Sequence, residues 1–247
     1  MDVIGVIPAR YSSTRFSGKV LADIFGKPII QHVWERAKQV RILDDIIIAC
    51  DHEEVARVAR EFGANVVMTS KSHVCGTDRI AEVVNPLDVR VIVNIQGDEP
   101  FIHPTMIDGV ARALLEDPKV SMATIKRKID DLGLINDPNV VKVVTDKNNF
   151  ALYFSRSPIP FLAPGSQISV PEYFKHIGLY SYTKDFLFTY KNLPVSNLEK
   201  TEKLEQLRVL EEGFKIKVIE TKFDTIGIDT PQDLERAKEY FKTEGAL

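Results

Sequence analysis

The chain of 247 residues has only two cysteines, Cys50 and Cys75. That is too few for a disulfide scaffold and fits a reduced, cytoplasmic setting. Cys50 closes an apolar stretch and reads as a core residue. Cys75 lies in a polar loop without a neighbouring His–Asp arrangement to activate a thiol. Neither sign of charge prevails: 32 Lys and Arg stand against 35 Asp and Glu, net −3 at neutral pH. No overall basic field therefore draws the chain to nucleic acid or to a membrane surface. Apolar runs fall well short of the ~20 residues of a membrane span, and the N-terminus lacks a signal-peptide pattern. Also missing are the Gly-x-x-x-x-Gly-Lys-Ser/Thr loop of P-loop hydrolases and the Gly-x-Gly-x-x-Gly turn of dinucleotide oxidoreductases. The five histidines show no zinc-ligand spacing. There is no internal repeat, low-complexity tract or flexible linker. What is left is small-molecule binding through local clusters of charge.

The first such cluster opens the chain. Val3 to Ile7 is a short apolar run broken by Pro8, and a polar loop holding Arg10, Arg15 and Lys19 follows. A bounded apolar run near an N-terminus reads as a buried strand of an α/β sheet. Such sheets bind ligands beyond the carboxyl ends of their strands, where this loop falls. Arg offers a planar fork to phosphate oxygens and Lys a compact charge, so the trio suits a polyphosphate. A solvated basic loop is the competing reading.

Further along, Ile29 to Val40 carries apolar residues at helical spacing with Pro28 at its start, and Asp45 to Ala49 reads as a second strand. Asp51 reads as the N-cap of a helix that ends at Gly63, with Glu54 three residues on. Asn65 to Met68 and Val89 to Ile95 complete four strands alternating with helices, which implies parallel pairing in a three-layer sandwich. From Val140 to Tyr190 the pattern turns strand-rich, punctuated by prolines and crowded with aromatics. An insertion of that kind forms a lid, a subunit contact or both, although core packing accounts for about half of its rings. Helical spacing returns from Thr201 to Glu212, a strand from Ile216 to Glu220, and a last helix follows Thr230-Pro231.

Two acidic loops carry the remaining chemistry. Asn94-Ile95-Gln96-Gly97-Asp98-Glu99-Pro100 runs off the fourth strand, where a carboxylate suits a Mg²⁺ shared with substrate phosphates; a simple turn explains Gly97-Asp98 equally. Gly227-Ile228-Asp229-Thr230-Pro231-Gln232-Asp233-Leu234 is a helix-capping sequence in which Thr230, Pro231 and Asp233 have structural duties but Asp229 has none. If Asp98 and Asp229 converge, they supply the anionic ligands such a metal needs. Between the third strand and the next helix, Thr69 to Arg79 is a polar loop in which Thr77 or Asp78 serves as N-cap, and a helix N-terminus there welcomes anions.

Together these blocks resemble the CMP-Kdo synthetases, the 3-deoxy-manno-octulosonate cytidylyltransferases. The resemblance rests on residues 7–19, Phe-Gly-Lys-Pro-Ile-Ile-Gln-His-Val (25–33), His-Val-Cys-Gly-Thr-Asp-Arg (73–79), 94–100, His176-Ile-Gly-Leu-Tyr180 and 227–234, and it covers essentially the whole chain. It implies a nucleotide-diphospho-sugar-transferase-like, Rossmann-like α/β sandwich with a mostly parallel sheet. The whole of 1–247 would be a single cytidylyltransferase domain. Its small strand-rich insertion, about 140–195, would form part of the sugar site and a homodimer contact. The implied reaction transfers CMP from CTP to the anomeric hydroxyl of Kdo, releasing pyrophosphate and activating Kdo for lipopolysaccharide synthesis. Arg10, Arg15 and Lys19 would hold the CTP phosphates, Asp98 and Asp229 would carry Mg²⁺, and Ser70, Ser72, Gly76, Thr77 and Asp78 would surround the cytosine. Gln96, Arg156, His176, Tyr180, Glu202 and Gln206 would contact the sugar acid, with Arg156 or His176 neutralising its carboxylate. Cys75 departs from the pattern, which leads one to expect Ser or a similar small residue. A cytidylyltransferase for 8-amino-Kdo or a sialic acid, and a non-catalytic nucleotide-binding module, are the alternatives.

Overall fold

A computed structural model describes residues 1–12, 16–73, 75–165 and 172–244. In chain order the strands are β1 (Val3–Ala9), β2 (Asp23–Ile24), β3 (Lys27–Pro28), β4 (Asp45–Cys50), β5 (Asn65–Met68), β6 (Val91–Asn94), β7 (Met122–Lys128), β8 (Lys142–Thr145), β9 (Ala151–Ser155), β10 (Phe174–Thr183) and β11 (Lys217–Thr221). The α-helices are α1 (Ile29–Ala37), α2 (Glu53–Glu61), α3 (Gly76–Val84), α4 (Pro104–Glu116), α5 (Lys184–Asn192), α6 (Asn197–Glu202), α7 (Leu207–Glu211) and α8 (Pro231–Glu244).

Strand β1 shows why the sheet is buried on both faces. Its period-two alternation sends Val3, Ile7 and Ala9 into one core and Ile4 and Val6 into another, all fully buried. Each such valine or isoleucine side chain is worth about 1.5–3 kcal/mol of burial. The first core is closed by α1, α2 and α4 through residues such as Val33, Ala56 and Ile107; the second by α3, α5 and α7 through Ile80, Leu187 and Leu207. A sheet covered on both faces by helices is the three-layer sandwich read from the sequence.

Among the described residues the large sheet has nine strands, with the path β11-β7-β10-β6-β1-β4-β5 and β8 and β9 attached at β10. Strands β6, β1, β4 and β5 pair in parallel, as do β11 and β7. Strand β10 alone reverses the direction of the path, antiparallel to β6 on one side and β7 on the other. Its last residues pair with β6 and its first reach β8, so the strand-rich insertion grows out of the same sheet.

Several sequence expectations are corrected here. Asp51 does not cap α2; His52 does, its ring nitrogen accepting from Glu54 N–H, and Asp51 is spent elsewhere. Neither Thr77 nor Asp78 caps α3, which starts at Gly76 with Cys75 as its flanking residue and no side-chain cap. Residues 184–192, expected in the strand-rich region, form helix α5, whose Phe186 and Tyr190 are core. The single helix expected from Thr201 to Glu212 is two, broken where Lys203 takes a left-handed conformation, φ 56°.

Candidate active site

The carboxyl ends of β1 and β6 open into one cleft of about 140 Å³ lined by Pro8, Arg10, Lys19, His73, Cys75, Gly76, Arg79, Gln96, Gly97 and Asp98. The parallel strands aim these ends the same way, which is why residues distant in sequence meet. Gly97 belongs at this junction because its backbone lies against the Pro8 carbonyl, where an added Cβ would sit at 2.9 Å. A third segment joins from the C-terminus: Ile228 N–H donates to the Asp98 carbonyl at 3.0 Å. Asp233 then shapes the next residues, accepting from the N–H groups of Asp229 at 3.1 Å and Thr230 at 2.8 Å. The capping box read from the sequence is thus formed, and it leaves the Asp229 carboxylate for other work.

Asp98 and Asp229 do converge. The Lys19 ammonium donates to Asp98 Oδ2 at 2.5 Å and to Asp229 Oδ1 at 2.8 Å. Burial works to lower the Lys19 pKa, but the two carboxylates outweigh it and hold the value above its ordinary one, so Lys19 is a firm cation. Two aspartate carboxylates held about one cation are an all-oxygen donor set, the kind that fits Mg²⁺. Among the described residues no third His, Cys, Asp or Glu completes a protein-only metal site. Glu99 adds no charge beside it, because burial and then the Asp98 charge push its carboxyl up to about 8.

The remaining site residues fall into three groups. Arg10 and Gly76 line the same cleft as Lys19, whereas Arg15 lies outside the described residues. Ser70 and Ser72 hydrogen-bond each other at 2.7 Å on an exposed turn; Thr77 and Asp78 face an adjoining groove that shares Cys75 with the cleft. Burial pushes the Cys75 thiol up to about 11, with Glu205 the next cause, so it is no nucleophile. On the sheet side, Gln96 donates to the Gly178 carbonyl of β10 at 3.1 Å, and Tyr180 pairs in register with Asn94 of β6. Gln206 is 4% exposed, and its amide nitrogen has no hydrogen-bond partner. An unpaired buried donor costs about 1–3 kcal/mol, and a polar ligand would recover it.

Two expectations shift. Arg156 and Glu202 hold each other rather than standing open: Glu202 accepts from Ser155 Oγ at 2.6 Å and Arg156 N–H at 3.0 Å, and Arg156 Nε donates to the Glu202 carbonyl at 2.8 Å. His176 is bonded to the Thr124 hydroxyl at 2.9 Å, and burial drives its imidazole down to about 3. It is neutral at pH 7 and does not neutralise a carboxylate, as the sequence reading allowed. Residues to which the sequence reading gave no role include Arg79 in the cleft wall and Glu205, which accepts from Thr77 Oγ1 at 3.0 Å and lines the groove beside the cleft.

Neutral His176 makes a pH prediction. Its folded pKa lies below the ordinary 6.5, so the unfolded chain takes up the proton first on acidification. The stability carried by the neutral ring is whole above pH 6.5 and is lost as pH falls toward 3. Glu99 has the opposite sign, its raised pKa losing stability as pH climbs from 4.5 toward 8, so only a difference curve isolates the histidine. In urea titrations from pH 7 to 4.5, His176→Gln is expected to remove a slope of up to about 1.4 kcal/mol per pH unit relative to the parent chain. Parallel curves would refute the assignment.

Fold and site together define a nucleotidyltransferase: cationic and acidic groups from three loops meet at the carboxyl ends of a parallel sheet. Residues 4–218 match the family described as cytidylyltransferase. The 3-deoxy-manno-octulosonate cytidylyltransferase of Solibacter usitatus is 53% identical over 97% of this chain and 94% of its own. The protein of the same name from Geobacter sulfurreducens is 48% identical over 98% and 100%. A CMP:2-keto-3-deoxy-manno-octonic acid synthetase solved in complex with CTP superposes with a TM-score of 0.93 at 39% identity, covering 99% of this chain and 100% of that one. The chain belongs to the 3-deoxy-manno-octulosonate cytidylyltransferase family, as the sequence motifs indicated.

Proposed function

We propose that this protein transfers CMP from CTP to the anomeric hydroxyl of Kdo, giving CMP-Kdo and pyrophosphate, and so activates Kdo for lipopolysaccharide synthesis. The observation that carries the reading is the meeting of Lys19, Asp98 and Asp229 on one point of the cleft. The sugar C2 hydroxyl oxygen attacks the α-phosphorus in line and releases its proton to water, the bond to the bridging oxygen of the β-phosphate breaks, and pyrophosphate leaves. No covalent enzyme intermediate is needed, so the work is positioning and charge stabilisation.

Arg10, Arg15 and Lys19 bind the triphosphate and take up the charge that passes to pyrophosphate. The loop from Ser70 to Asp78 receives the cytosine. Gln96, Tyr180, Gln206 and Glu205 form the polar wall for the sugar hydroxyls. Arg156, steadied by the Glu202 and Pro138 carbonyls, meets the sugar carboxylate with what remains of its guanidinium, and His176 acts only as a neutral hydrogen-bonding group. Asp98 and Asp229 would hold Mg²⁺. When bound, the ion supplies positive charge at the α-phosphoryl oxygens and lowers the pKa of the attacking hydroxyl. Leu152 and Phe161, exposed by 63% and 82% in the insertion, support a homodimer contact. No helix of the described residues is long and apolar enough to cross a membrane.

The test is pyrophosphate release with CTP, Mg²⁺ and Kdo, beside ATP, UTP and GTP and beside 8-amino-Kdo and a sialic acid. Release with CTP and Kdo alone is expected. Release with CTP and another sugar acid would keep the mechanism and move the substrate, and CTP binding without turnover would overturn the enzyme reading.

A further inference from the structure

In the wall of the cleft lies a largely buried ion pair, Arg79 with Asp51, that neither the capping logic nor the catalytic groups explain. Strands β1, β4 and β5 are adjacent and parallel, and their carboxyl ends lead to Tyr11, Asp51 and Thr69. The Asp51 carboxylate accepts the Tyr11 N–H at 3.0 Å and the Arg79 guanidinium at 2.8 Å. Arg79 reaches across from α3, is 3% exposed, and donates through its other terminal nitrogen to the Thr69 hydroxyl and, at 3.4 Å, to the Ser70 carbonyl. Both partners are anchored onward. Thr69 bonds the Cys50 carbonyl through its N–H at 2.8 Å and its hydroxyl at 2.9 Å. The Tyr11 carbonyl accepts Gly18 N–H at 2.9 Å, its ring stacks on His52 at 4.1 Å, and Lys19 follows directly.

We propose that Asp51 and Arg79 are positioning residues that couple the loop before Lys19 to the loop that receives the base, so that nucleotide affinity and base selectivity depend on the pair. The proposal rests on the reading that the cleft takes CTP. Stability alone does not account for the pair, since buried ion pairs often give way to apolar residues without loss. Apolar residues could not, however, hold a backbone N–H on one loop and a hydroxyl and carbonyl on the other. Only a planar fork opposite a two-oxygen acceptor spans all three groups at fixed angles. Arg79 borders the cleft, and the pair acts on it through Tyr11, Thr69 and Ser70.

Two variants separate this from a merely structural bridge. Arg79→Lys keeps the buried charge but replaces the fork with a point donor. Thr69→Val removes the hydroxyl contacts to Arg79 and to the Cys50 carbonyl but leaves the Asp51–Arg79 ion pair and the Thr69 N–H bond in place, and thermal melts beside the kinetics separate lost positioning from lost fold. With Arg79→Lys, the CTP KM is expected to rise about 10- to 100-fold, the scale of a misplacement near 1 Å, while the Kdo KM at saturating CTP holds. With Thr69→Val, the preference for CTP over UTP should fall about tenfold, the worth of one misplaced hydrogen bond to a base edge. Thr69→Val with parental CTP KM and parental CTP preference would overturn the proposal, as would equal KM changes for both substrates. Calorimetric CTP binding by the same variants reads the coupling separately from turnover. A parent chain that binds CTP but never releases pyrophosphate defeats the functional reading and still tests the pair.

Discussion

Asp98→Asn is expected to abolish pyrophosphate release, with kcat reduced on the order of 10³-fold, while the protein stays folded. The size follows from what the carboxylate does. Removing one preorganised electrostatic group from a transferring phosphoryl centre costs about 10²- to 10³-fold, and this one also serves as an anionic ligand for the Mg²⁺ proposed to bind there. Stability should hardly move. Lys19 keeps Asp229 at 2.8 Å, and the Asp98 side chain is 27% exposed, so the lost contact is worth about 1 kcal/mol or less. Asp229→Asn should behave alike, because the same ammonium bridges both. Rates with saturating CTP and Kdo, set beside thermal melts, check both variants, and near-parental turnover by Asp98→Asn would remove the metal assignment.

Gly97→Ala is expected to be nearly as damaging for a different reason. Its new methyl would lie 2.9 Å from the Pro8 carbonyl oxygen, and that oxygen is part of the β1 backbone. A rotamer change cannot relieve the clash. Either β1 yields, with Pro8 in register against Ala49 of β4, or the loop from Gln96 to Glu99 lifts. Lifting would shift Asp98 and, through the Ile228 N–H on its carbonyl, Asp229 as well. Overpacking of this kind costs about 1–3 kcal/mol of stability, and misplacing both carboxylates about 10²-fold in kcat/KM. Gly109→Ala is the control: on α4, its methyl would meet only Ile219 at an ordinary 3.5 Å, and removing a helix-interior glycine should stabilise by about 0.5–1 kcal/mol with activity unchanged. Equal activity in the two variants would show that the Gly97 contact does not position the site.

How legible each part was depends on how local its cause is. The strands β1, β4 and β6 were readable because a both-sided burial demands an unbroken apolar run, and the last helix because Thr230, Pro231 and Asp233 form a self-contained cap. The α2 cap was misassigned for a non-local reason. Asp51 has cap chemistry, but Arg79, twenty-eight residues on, claims its carboxylate, and His52 takes the vacated role. Likewise Glu202 and Glu205 look equivalent on one expected helical face. The left-handed turn at Lys203 sends the first to Ser155 and the second to Thr77.

The sequence by itself determined the α/β class, the loop cations, the two acidic loops and the family, since each is written in contiguous residues. Only the tertiary structure decided that Asp98 and Asp229 share one cation, that His176 is desolvated into neutrality, and that Arg156 is engaged with Glu202. Convergence and desolvation are properties of what surrounds a side chain. No linear spacing encodes the distance between residues brought together by parallel strands from opposite ends of the chain.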